Sequence, residues 1–199
     1  MIIACIGDSL TEGDYGVLGK RGIANVKEEN YPYFLEKLSG CVTLNYGKCG
    51  YTATSYLKHY LAGNANVKNA DVVLVMLGSN GGHSSTEETE GNLNFQKLLD
   101  EIGKDAENAQ VVLITPPHVT ENPEFSNCGY KKQVDEAVLF VRRLAQERGL
   151  PLIEGALIDE FNEQTEHLYQ SNDGLHFNRD GYEIMAKYIF EGLKKLQIL

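Results

Sequence analysis

Apolar and polar positions along this chain fall into two repeating kinds of block. Short apolar runs rich in β-branched residues occur at Ile2–Ile6, Val42–Asn45, Val72–Leu77, Val111–Thr115 and Leu150–Ile153, and each reads as a strand. Val72–Leu77 (VVLVML) is unbroken, as expected of a strand buried on both faces. Between these runs the period lengthens to that of a helix, at Tyr31–Leu38, Thr54–Leu61, Thr86–Ile102, Tyr130–Arg148 and Gly181–Leu196. The spacing turns Tyr31, Phe34, Leu35 and Leu38 inward on the first. On the third it turns in Leu93, Gln96 and Leu99 with Phe95, Leu98 and Ile102. Val134, Ala137, Val138, Val141, Leu144 and Ala145 form the stripe of the fourth, and Met185, Tyr188, Ile189 and Leu196 that of the last. Glu12–Glu29 and His118–Gly129 have no period and read as long loops.

Strands alternating with helices predict a parallel sheet covered on both faces, a three-layer α/β/α fold with five strands. No repeat, low-complexity segment or linker interrupts the pattern, so residues 1–199 read as one domain. In such a sheet the strand ends that carry ligand sites all lie along one edge. The first strand stops there at Gly7-Asp8-Ser9-Leu10, which places a serine hydroxyl just past its carboxyl end. By itself Ser9 reads as the cap of the helix that follows, as most serines in such turns are. The second strand leads into Asn45-Tyr46-Gly47-Lys48-Cys49-Gly50-Tyr51-Thr52, and the third into Gly78-Ser79-Asn80-Gly81-Gly82. Asp173 and His176 stand three residues apart in the last loop before the C-terminal helix.

A serine hydroxyl needs an adjacent base to become a nucleophile. His176 has the side chain suited to that near neutral pH. Asp173 can reach the other ring nitrogen from the same turn and fix the tautomer. Taken singly, His176 is also a surface histidine near a helix start, and Asp173-Gly174 an ordinary turn.

Together the blocks from Gly7-Asp8-Ser9-Leu10 to Asp173-Gly174-Leu175-His176 resemble the GDSL esterase family, also called the SGNH hydrolases. The resemblance implies a flavodoxin-like strand order 2-1-3-4-5 and ester hydrolysis with Ser9, Asp173 and His176 as catalytic residues. It further implies an oxyanion hole made of the Ser9 N–H, the Gly50 N–H and the Asn80 side chain. Gly50 and Asn80 also fit as plain turn residues. The chain departs from the family's Gly-x-Asn-Asp block, since Gly81 stands where the acidic residue is usual. It also lacks the proline that often follows the histidine, having Phe177 instead. Family members act on short-chain esters, acetylated sugars, lysophospholipids and acyl thioesters. Thr115-Pro116-Pro117 with its polar downstream loop looks like the acetyl esterases among them. The expected substrate is therefore a small acetyl ester, of a carbohydrate or similar molecule. A lysophospholipase or thioesterase is the rival within the family, and a non-catalytic binding module on the same fold, or a nucleotide- or flavin-binding protein of flavodoxin-like architecture, is the rival outside it.

Composition narrows the field further. With 42% hydrophobic and 23% charged residues the chain is of globular type, and its net charge of −10 argues against nucleic acid or an anionic membrane as partner. The doublets Lys131-Lys132 and Arg142-Arg143 read as solvated helix faces. No apolar run is long enough to span a membrane, and Ile2–Ile6 is too short for a secretory leader. Cys5, Cys41, Cys49 and Cys128 lack CxxC spacing and read as free thiols of a cytoplasmic protein, with a mature secreted form as the alternative. No metal motif and no GxGxxG or GxxxxGK[ST] pattern is present, so neither metal nor nucleotide or flavin cofactor is expected. Asp8 reads as satisfying backbone donors in its own turn. His118 reads as a solvated loop residue that could also line the pocket, and His83-Ser84-Ser85 as loop. His59 and His167 have no partner evident in the sequence. Cys49 beside Gly50 reads as packing rather than as a nucleophile.

Overall fold

The structure is a computed structural model, which describes residues 1–16, 29–171 and 173–199. Five strands, β1 (Ile2–Gly7), β2 (Val42–Gly47), β3 (Val72–Met76), β4 (Gln110–Ile114) and β5 (Leu152–Ile153), form one sheet. Every pairing is parallel and the order is β2-β1-β3-β4-β5. Helices α1 (Ser9–Glu12), α2 (Tyr31–Ser39), α3 (Ala53–Leu61), α4 (Glu90–Asp105), α5 (Lys131–Arg148), α6 (Glu166–Tyr169) and α7 (Arg179–Lys195) connect and cover it.

Side-chain alternation along the strands divides the core into two halves. Ala4, Ile6, Val73, Val75 and Leu113 face α3, α4 and α5, where Tyr56, Phe95, Leu98, Phe140 and Leu144 are buried. Ile3, Cys5, Leu74, Met76 and Ile114 face α2 and α7, against Leu35, Tyr182, Met185 and Ile189. All five residues of β3 are buried, because helices lie on both sides of that central strand. The inward stripe of α5 is buried as its spacing requires, with Phe140 added to it.

Several boundaries differ from the periodic reading, each for a local reason. The loop expected over Glu12–Glu29 is preceded by a short helical turn that includes Glu12. Gly13 closes that turn in the left-handed region at φ 98°. Residues 17–28 of that loop lie outside the described residues. Helix α4 starts at Glu90 rather than Thr86, because Thr89 caps it by accepting the Asn92 N–H. Leu93 and Leu38 are exposed rather than inward, each at the outer margin of its helix stripe. Strand β5 is only two residues long, since Pro151 has no N–H to give the ladder. Helix α6 was not expected, because four residues are too few to show a period.

Three residues of the basic doublets have partners on the solvated faces where they lie. Arg142 pairs with Glu154 at 3.0 Å, Arg143 donates to the Ser85 carbonyl, and Lys131 pairs with Asp135. Cysteines 5, 41, 49 and 128 are all unpaired thiols. No helix among the described residues is long and apolar enough to cross a membrane.

Leu74 is fully buried at the centre of the sheet. Leu74→Ala is expected to lower unfolding free energy by about 2–5 kcal/mol, measured by urea denaturation, with the circular dichroism of the folded state unchanged.

Candidate active site

The first strand ends at Gly7, where a Cβ would collide with the Thr11 side chain and the Met76 carbonyl. A glycine here lets the chain turn tightly off the sheet. Asp8 rather than Ser9 then caps α1, its carboxylate accepting the Leu10 N–H at 3.1 Å. Ser9 becomes the first helical residue, and its hydroxyl is left for another partner.

That partner is His176. Its Nε2 accepts the Ser9 hydroxyl at 2.8 Å, and its Nδ1–H donates to Asp173 Oδ2 at 2.5 Å. Asp173 is held by further donors: the N–H groups of Leu175 and His176, both at 2.9 Å, and the Ser171 hydroxyl at 2.8 Å. Gly174 follows at φ 74°, where any Cβ would strike Thr120 and Phe125. The loop after β4 grips this turn from outside, with Thr120 N–H donating to the Gly174 carbonyl and Asn127 N–H to the Asp173 carbonyl. Ser9, Asp173 and His176 are each at most 9% exposed.

Burial alone would raise the Asp173 carboxyl. The His176 ring and backbone bonds and the Leu175 N–H outweigh it and bring the pKa to about 2. Burial likewise pushes the His176 imidazolium down, but the Asp173 bond and charge, with Asp14 and Asp8 beyond, raise it above the ordinary histidine value. Asp8 is fully buried. Desolvation raises its carboxyl despite the Ser79 hydroxyl donating at 2.5 Å and the Leu10 N–H.

The remaining expected residues sit on neighbouring strand ends. Gly50 lies in the turn after β2, exposed and at φ 74°, with open space where a side chain would be. Asn80 lies in the turn after β3 and donates from Nδ2 to the Tyr51 carbonyl at 3.1 Å, joining the two loops. Gly81 adopts φ 76°, and a Cβ there would press on Gln133, whose Nε2 donates to the Ser79 carbonyl at 2.8 Å. The departure at Gly81 thus accompanies a loop fastened from α5.

Two further residues at the site are not singled out by the sequence. Asp14 follows the Gly13 turn, which carries the chain back so that its Oδ2 lies 3.7 Å from His176 Nε2. It falls in a stretch without hydrophobic period. Ser79 occupies the variable position of its block, and its hydroxyl ties the β3 loop to Asp8. A side-chain hydroxyl between Gly78 and Asn80 was the available cue.

Other candidates are placed elsewhere. His118 is not solvated. Its ring is largely buried 3.8 Å from Glu166, and its carbonyl accepts from Gln170. His83 is in a loop, as expected, but buried, stacked on Phe140 at 4.8 Å and bonded to Asn92. His59 packs edge-on against Tyr51 and Tyr56. The Cys49 thiol is pushed up to about 12, by burial first and then by its bond to Asp14, and serves as a donor.

A serine, a histidine and an aspartate thus stand hydrogen-bonded in series at the carboxyl edge of a parallel sheet of order 2-1-3-4-5. The sequence matches the GDSL-like lipase/acylhydrolase family model over residues 5–184, and the chain belongs to that family of carboxylic-ester hydrolases. Solved structures agree on the fold. A lipase/acylhydrolase from Enterococcus faecalis superposes with a TM-score of 0.72 at 21% identity, covering 98% of this chain and 96% of that one. A carbohydrate acetylesterase from Sinorhizobium meliloti gives 0.72 at 19% identity over 98% and 99%. The aryl esterase of M. smegmatis gives 0.70 at 17% over 98% and 99%. No curated protein matches the sequence.

The two shifts define a pH window for stability. The raised His176 stabilises the fold fully below the unfolded histidine value of about 6.5, and that contribution fades as pH rises through its folded value. The depressed Asp173 contributes above its unfolded value of about 3.9 and loses that contribution as pH falls toward about 2. Urea midpoints are expected to show this pair's contribution greatest between about pH 4 and 6.5, and Asp173→Asn to flatten both flanks.

Proposed function

We propose that this chain is a serine esterase that hydrolyses short acyl esters, acetyl esters foremost, of a carbohydrate or other small substrate. The observation that carries the reading is the hydrogen-bonded series from Ser9 Oγ through His176 to Asp173. With Asp173 holding the Nδ1–H, His176 presents a bare Nε2 to the serine hydroxyl, the tautomer a general base requires.

Ser9 attacks the ester carbonyl and passes its proton to His176 Nε2. The Ser9 N–H, the Gly50 N–H and the Asn80 amide receive the developing oxyanion. Ser9 is the first residue of α1, so its N–H belongs to the set a helix leaves without an internal partner. His176 then protonates the leaving alcohol, and water frees the acyl group from Ser9 by the same steps reversed. Support for a short acyl group comes from the polar groups gathered at the serine, Asp8, Asp14 and His176. The fold likeness to a carbohydrate acetylesterase points the same way.

The test compares p-nitrophenyl acetate with the octanoate ester, each with wild-type protein and Ser9→Ala. Acetate is expected to be strongly preferred, and Ser9→Ala or His176→Ala to lower kcat by about 10,000-fold or more while the fold survives. Preference for octanoate would replace the acetyl reading with a lysophospholipase or thioesterase. Near-normal turnover by either variant would end the assignment of the nucleophile and base. Asn80→Ala is expected to lower kcat by about 100-fold or more with little change in KM, as loss of one oxyanion donor does.

A further inference from the structure

His176 is flanked by two carboxylates, and the mechanism above uses one. Asp173 holds Nδ1 from the residue's own loop. Asp14 arrives from the other end of the chain, with Oδ2 3.7 Å from Nε2, on the side where Ser9 binds. Its position is built rather than incidental. Oδ1 accepts the Gly16 N–H at 2.8 Å, and Oδ2 accepts the Cys49 thiol at 3.4 Å. The Asp14 N–H donates to the Ser9 carbonyl at 3.0 Å, and the Asp14 carbonyl accepts the buried Tyr182 hydroxyl at 2.5 Å. The residue is 8% exposed, so water screens its charge little.

We propose that Asp14 is a second carboxylate of the His176 imidazole, stabilising the ring when Nε2 takes the serine proton and setting the pH at which the enzyme switches on. The distances assign separate roles. At 2.8 Å Ser9 holds the hydrogen bond to Nε2, whereas Asp14 at 3.7 Å acts as a counter-charge without displacing it. No proton moves to Asp14. The proton passes from Ser9 Oγ to Nε2 and from there to the leaving alcohol, and Asp14 favours the charged intermediate state. The inference rests on the proposed esterase mechanism for its effect on turnover.

Among the described residues, the charged groups facing His176 are Asp173 on its own loop, Asp14 after α1, and Asp8 in the turn before α1. All three favour the imidazolium, so removing Asp14 lowers the pKa of the base. Asp14→Asn keeps an acceptor for the Gly16 N–H and removes only the charge. Its acid limb in kcat/KM is expected to lie about one pH unit below that of wild type. At the plateau its kcat is expected to be about tenfold lower, with KM little changed. Asp14→Glu, which restores a carboxylate, is expected to return the limb toward the wild-type position. A structural role alone would lower activity without moving the limb.

The companion measurement is NMR titration of the His176 ring in wild type and Asp14→Asn, which needs no turnover. A shift of the ring's midpoint to lower pH supports the proposal. Coincident midpoints, or coincident acid limbs, overturn it. If wild type hydrolyses no ester, the esterase reading fails, and the NMR comparison still decides the role of Asp14. Asp14→Ser provides the same uncharged comparison if the asparagine variant does not fold.

Discussion

The imidazole of His176 is hydrogen-bonded at both nitrogens, and the rest of the site is arranged to keep it so. One bond reaches Asp173 three residues away, and the other reaches Ser9, 167 residues away. A ring whose Nδ1–H is committed to a carboxylate has one tautomer and one orientation, so Nε2 must face the serine. The sheet makes that long-range meeting possible. Because β1, β2, β3 and β4 run parallel, their carboxyl ends deliver Ser9, Gly50, Asn80 and the loop that grips Asp173 to one edge.

Burying this much charge requires donors, and the donors are what tie the loops together. Asp8 takes the Ser79 hydroxyl, linking the end of β1 to that of β3. Asp14 takes the Cys49 thiol, linking the turn after α1 to the end of β2. Asp173 takes three donors from its own turn besides the histidine ring. An unpaired buried carboxylate would be strongly destabilising, so each of these contacts fixes geometry as well as satisfying an acceptor. The Asn80 loop illustrates the result. Two successive glycines follow Asn80, yet Ser79 and Asn80 are held by Asp8, Gln133 and the Tyr51 carbonyl. The loop is fastened by neighbours in space rather than by its own sequence.

Local pattern determined the elements and their stacking. Alternating β-branched runs and helical stripes are direct consequences of which side chains each face must bury, so the five parallel strands and the α5 stripe were legible. That Ser9, Asp173 and His176 should meet was legible too, through short blocks after β1 and before the last helix whose likeness to the GDSL family also implied the strand order. Boundaries were less so. Whether Thr86 or Glu90 opens α4 turns on one cap hydrogen bond, and whether Leu93 is buried turns on the width of a stripe.

What the tertiary structure alone decided were the contacts between loops that share no periodicity. Asp8 rather than Ser9 caps α1, His118 lies against Glu166, and Asp14 returns to the imidazole, and each depends on where another segment of chain is brought. A sequence records local propensity and burial pattern because these act between near neighbours. The pairing of a carboxylate with a ring 162 positions along the chain is set only once the sheet has brought both to the same edge.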